Sequence, residues 1–92
     1  MILSIEVECK LYEGASLKTK RSILKRNMHK LQKDFNIAIT ELDYHDLWQR
    51  TKLGIVTISN ERAHLDQMSE RILEKIDSVP EWERILTHIE HL

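Results

Sequence analysis

Residues 2–12 alternate without a break between apolar and polar side chains, and this limits what the chain can fold into. Leu3, Ile5, Val7, Cys9 and Leu11 fall on one phase, while Ser4, Glu6, Glu8, Lys10 and Tyr12 fall on the other. A period of two belongs to a β-strand with one dry side and one wet side. A sheet with a dry face needs a second layer to cover it, so the chain must also contain amphipathic helices or a second sheet.

Two helical stretches answer that need. The alternation stops at Glu13-Gly14-Ala15-Ser16, and Ser16 is suited to cap a helix. Leu17, Leu24, Met28, Leu31 and Phe35 then recur at helical spacing, which predicts an inward stripe on a helix of about five turns. Asn36 ends it. Residues 37–42 read as a second strand, Tyr44-His45-Asp46 as a polar reversal, and a third strand is clearest over residues 53–58. Asn60 is expected to cap a second helix with Leu65, Met68, Ile72, Ile76 and Val79 inward, and Pro80 stops it. Residues 82–92 are strand-like, with a blurred alternation. The order βαββαβ predicts an α+β, ferredoxin-like sandwich: a four-stranded antiparallel sheet with two helices on one face. Right-handed crossovers place the first and third strands in the middle.

A length of 92 residues, 41% of them hydrophobic and 32% charged, fits one globular domain over residues 1–92. No apolar run is long enough to cross a membrane, and the N-terminus lacks the basic and apolar regions of a signal peptide. The single cysteine, Cys9, cannot form an internal disulfide, so a cytoplasmic, reducing location is expected.

The net charge of -1 hides a strong asymmetry. Residues 17–35 carry seven Lys or Arg against one acid, Asp34; the other positions carry seven basic residues against fourteen acidic ones. Clustering of this kind draws a protein to a polyanion more than total charge does. On a helical wheel Lys18, Lys25, Arg26, His29 and Lys33 share a broad side, with Lys20 and Arg21 flanking the apolar stripe. Lys18, Lys20 and Arg21 crowd the first turn, where the helix dipole disfavours cations and favours a bound phosphate. These seven residues form the candidate nucleic-acid or anion surface. The competing reading is a solvated face whose long side chains lie over the core edge.

Trp48, Arg50 and Lys52 form a second candidate surface, sharing one face if the stretch is extended. An aromatic side chain beside cations suits single-stranded nucleic acid. Val56 and Ile58 continue the same phase, however, and this favours an apolar sheet face buried in a homodimer. RNA recognition on the sheet itself is not expected, because the outward residues of the first strand are Ser4, Glu6 and Glu8, whose two carboxylates repel phosphate. Catalysis has little support. Asp43, His45 and Asp46 are neighbours that a strand would point apart, and His88 and His91 would split across a strand. Cys9 lies on the dry phase, and Arg62 and His64 open the second helix, where they could bind an anion but read better as a cap with solvated charges. No metal or cofactor site is expected.

The segments Ser16-Leu17-Lys18-Thr19-Lys20-Arg21, Asp43-Tyr44-His45-Asp46-Leu47-Trp48-Gln49-Arg50 and Ser59-Asn60-Glu61-Arg62-Ala63 together resemble the YlxP-like family, small bacterial proteins classed as a domain of unknown function. Ser22 departs from the valine common there. The resemblance covers the chain from the first strand to the end. It implies a ferredoxin-like fold, a bacterial cytosol and genes near those for translation initiation factor two and ribosome-binding factor A. It implies no activity, ligand or residue role. The expectation is a non-enzymatic accessory protein that binds RNA or a ribosomal subunit through its basic helix. The alternatives are a homodimeric module docking an acidic partner and a dimer that holds a small anion.

Overall fold

The computed structural model describes residues 1–12 and 16–92. Its elements run β1 (Ile2–Leu11), α1 (Leu17–Asp34), β2 (Ala38–Asp43), β3 (Arg50–Ile58), α2 (Arg62–Asp77) and β4 (Trp82–His91). The sheet is antiparallel in the order β2-β3-β1-β4, so the first and third strands are central, as the crossover rule requires. The βαββαβ order and four-stranded sheet give the ferredoxin-like arrangement.

β1 keeps its alternation: Leu3, Ile5, Val7, Cys9 and Leu11 are all buried, while Ser4, Glu6 and Glu8 face outward and are half-buried. Leu53 and Ile55 of β3 extend this dry layer beside Val7 and Ile5. Leu65, Met68, Ile72 and Ile76 of α2 cover it, joined by Ser69. Trp82 closes one end, with its indole N–H donating to the Ile76 carbonyl at 2.7 Å. No helix is long and apolar enough to cross a membrane.

Three local expectations need correction. The inward stripe of α1 consists of Lys20, Ile23, Leu24, Asn27 and Leu31, so Leu17, Met28 and Phe35 are only half-buried. Two polar residues take places that apolar counting gave to others, because each finds a partner inside. Asn27, for example, donates to the Ile23 carbonyl one turn back, at 2.8 Å. The cap of α2 is Glu61 rather than Asn60, and it makes no side-chain cap bond; Ser59 Oγ instead accepts from the Glu61 amide at 3.1 Å. The strand expected from residue 37 begins at Ala38, after half-buried Ile37.

Ser16 does cap α1, its hydroxyl accepting from the Thr19 amide at 3.2 Å. Glu13, Gly14 and Ala15, where the alternation is expected to stop, lie outside the described residues.

Candidate nucleic-acid interface

α1 turns its Ile23, Leu24 and Leu31 side inward, which leaves the opposite side to water. Lys18, Arg21, Lys25, Arg26, His29, Lys30 and Lys33 are all exposed. From Lys18 to Lys33 this face runs about 22 Å along the helix axis at 1.5 Å per residue. Asp34 is drawn away to Lys75 on α2, with 2.9 Å between its Oδ2 and the Lys75 Nζ. That hydrogen bond, with the lysine's charge behind it, holds the Asp34 carboxyl below its ordinary range.

Lys20 does not belong to this surface. It is only 1% exposed, and its Nζ lies 3.0 Å from Glu41 Oε2 on β2 and donates to the Tyr44 carbonyl at 2.5 Å. Thr51 Oγ1 on β3 donates to the same Glu41 oxygen at 2.6 Å. Lys20 therefore ties α1 to the β2–β3 edge, and its charge is spent on that tie rather than offered to phosphate. Tyr44, whose carbonyl it holds, has φ 65, a left-handed conformation that a residue with a side chain adopts only at some strain. Arg26 is also partly engaged, by Glu81.

Trp48, Arg50 and Lys52 do not form one extended face. Trp48 lies in the turn before β3 and is half-buried; only Arg50 and Lys52 stand on the outer side of the strand. The physical reason is that the β2–β3 reversal extends to Gln49, where a carbonyl accepts from the Leu11 amide at 2.8 Å. Both cations are neutralised by β1, with Arg50 Nη2 at 2.7 Å from Glu8 Oε2 and Lys52 Nζ at 3.4 Å from Glu6 Oε1. Arg50 also sits 5.0 Å above the centre of the Tyr44 ring. The outward carboxylates of β1 thus serve as ion-pair partners for β3.

Among the described residues, Lys18, Arg21, Lys25, Lys30 and Lys33 have no acidic partner within ion-pair distance, whereas the cations of β3, β4 and most of α2 do. Sequence reasoning left Lys30 out of the candidate set. It stands at the flank of the outward face and, with Arg26 and Lys75, rims a cavity of about 360 Å³ whose floor includes Leu31, Ile76 and Trp82. The signal for it was there in the count of basic residues on the helix.

No group of three or more His, Cys, Asp or Glu side chains is placed to hold a metal among the described residues. His45 Nε2 lies 3.1 Å from the Glu41 carbonyl, and Asp43 accepts from the Tyr44 amide. His88 faces outward opposite Glu6, and His91 lies opposite Leu3 on the helix side, 3.5 Å from Asp66. Burial pushes the Cys9 thiol up to about 12, which keeps it protonated.

The family signature described as a protein of unknown function, DUF503, matches residues 2–89. The chain belongs to the DUF503 family. It is 44% identical over 90 residues to the uncharacterized protein YlxP of Bacillus subtilis, covering 98% of each chain. Among solved structures it is similar to the de novo designed protein Foldit4, with TM-score 0.64 and 13% identity over 100% of this chain and 99% of that one. It is also similar to a de novo designed protein with ferredoxin fold, at TM-score 0.62 and 14% identity over 100% and 87% of the two chains. SnoaB, a cofactor-independent oxygenase from Streptomyces nogalater, gives TM-score 0.63 and 7% identity over 99% and 92%. At such identities the likeness concerns the fold alone.

Proposed function

We propose that this protein is a non-enzymatic accessory protein of the bacterial cytoplasm that binds RNA, as presented by a ribosomal subunit, through the outward face of α1. The observation that carries this reading is the separation of its cations into two groups. Most of those on the sheet and at the helix junctions are matched with acids, Lys10 and Arg71 being exceptions, whereas Lys18, Arg21, Lys25, Lys30 and Lys33 are exposed together on one helix with no acid within ion-pair distance among the described residues. A row of unmatched cations about 22 Å long meets several phosphates at once and gains affinity by releasing counterions. A binding role also suits the titratable groups: the raised Cys9 thiol is explained by burial, and the lowered Asp34 and Asp77 carboxyls by structural ion pairs.

The test replaces Lys18, Arg21 and Lys25 with glutamine and measures RNA affinity at two salt concentrations, alongside comigration with ribosomal subunits. Each lost phosphate contact should reduce the slope of log K against log salt by about 0.9 on duplex or about 0.7 on single strands. Folding should be little changed, since all three side chains are exposed. Glutamine at Arg62 and Arg84, already paired with Asp66 and Asp77, should leave the salt slope as it is. Unaltered RNA binding by the triple variant at both salts would remove α1 from the interface.

A second reading, self-association, draws support from exposed apolar side chains on the sheet. Val56 is 46% exposed and Ile58 69%, and Ile58 stands opposite Ile2, which hydrogen-bonds to Leu92. These residues form an apolar end to the outer face.

A further inference from the structure

We propose that two copies of this chain associate through the free edge of β4, pairing antiparallel about a two-fold axis at Thr87 to make a continuous eight-stranded sheet. This rests on the self-association reading but places its interface at the sheet edge instead of the Val56–Ile58 patch. The two edges of the sheet differ. β2 is six residues long and carries Glu41 and Asp43; each edge strand has one register shift, between Glu41 and Asp43 in β2 and at Ile85 in β4. Short, charged edges resist pairing. β4 is ten residues long, and its stretch Ile85-Leu86-Thr87-His88-Ile89 contains no Lys, Arg, Asp or Glu. Ile85 is 40% exposed, Leu86 57% and Ile89 41%, so the strand is apolar on both faces where it meets water.

The backbone phase determines where the axis can lie. Leu92 and Ile2 exchange both amide hydrogen bonds, at 2.8 and 3.2 Å. In an antiparallel ladder such pairs recur at every second residue, so Glu90, His88 and Leu86 also direct their amides to β1. The amides and carbonyls of Thr87 and Ile89 therefore point to the open edge. Thr87 is the centre of the uncharged stretch 85–89, so an axis there sets that stretch against its own copy. Thr87 then exchanges both hydrogen bonds with its own copy, Leu86 faces His88, and Ile85 faces Ile89. The register shift at Ile85 ends the regular strand there, so the pairing is confined to residues 85–89, which bring no like charges together.

Face-to-face stacking of two sheets is the competing geometry. The middle of the outer face holds Glu6, Glu8, Arg50 and Lys52, and stacking would take these charges out of water at a large desolvation cost. Edge pairing leaves them solvated. It also places the two copies of α1 on the same side of one long sheet, where both basic faces are available.

The test is sedimentation equilibrium of the full chain combined with residue-resolved hydrogen exchange. The wild type should sediment at twice its 11.0 kDa at tens of micromolar. The Thr87 amide, which no strand of the monomer can protect, should exchange slowly in the dimer and rapidly on dilution. Ile89→Lys should give a folded monomer, as should Thr87→Pro, which removes an amide not used by β1. Val56→Glu should remain dimeric. A monomeric wild type at these concentrations overturns both this proposal and the self-association reading. A dimer whose Thr87 amide exchanges freely, or which Val56→Glu dissociates and Ile89→Lys does not, overturns the edge interface alone.

Discussion

Replacing Lys20 with methionine separates a structural lysine from a phosphate-binding one. The ammonium is 1% exposed and its partner Glu41 15%, at 3.0 Å, so the pair is almost wholly out of water. Removing one member of a buried pair leaves the other charged and unmatched, which typically costs about 3–5 kcal/mol. The Tyr44 carbonyl also loses its donor. Glu41 keeps the Thr51 hydroxyl and some access to water, so the expected loss lies at the low end, about 3 kcal/mol. At about 4–8 °C per kcal/mol for a domain of this size, the midpoint of thermal unfolding should fall by about 12 °C or more. Replacing the whole network with apolar residues (Lys20→Met, Glu41→Leu and Thr51→Val together) should recover most of that loss, because no buried charge is then stranded. Urea and thermal unfolding followed by circular dichroism measure the stability, and RNA titration of the folded variant should give wild-type affinity. A stability change under about 1 kcal/mol with weakened RNA binding would refute the assignment of Lys20 to the interior.

The raised Cys9 thiol makes the native protein unreactive toward disulfide reagents at pH 8, while the urea-unfolded chain should react at once. A thiol raised from 9.0 to about 12 on folding supports the native state below pH 9, and that support should be lost as pH rises from 9 toward 12. Cys9→Ala should flatten this alkaline limb. The carboxyls of Asp77 and Asp34 have the opposite sign. Each is held below its ordinary 3.8 by a hydrogen bond, from Arg84 and Lys75 respectively, so their contribution is present above that pH and lost as pH falls through the lowered value. Asp77→Asn should make acid unfolding shallower below pH 3.8, and salt should weaken the effect because both carboxylates are exposed.

Much of the architecture was legible in the chain because it depends on local periodicity. The alternation of β1 identified its buried phase residue by residue, the spacing of Leu65, Met68, Ile72 and Ile76 did so for α2 (Val79, expected with them, lies half-buried beyond the helix), and the element order with crossover handedness placed β1 and β3 at the centre. The basic character of α1 was equally plain. What periodicity could not supply was the partner of each charge. Lys20 looks like its neighbours Lys18 and Arg21 until the fold brings Glu41, 21 residues later in sequence, across from it on β2. Asn27 is likewise a polar residue on a stripe that apolar counting alone displaces. The same limit affected Trp48, which a longer β2–β3 reversal removed from the strand shared by Arg50 and Lys52. Local pattern determines which face of an element is dry, because burial of apolar area follows from spacing along one helix or strand. Which cations remain free to meet a polyanion was decided by tertiary structure, because ion pairing depends on distances between residues that only the packed sheet and helices bring together.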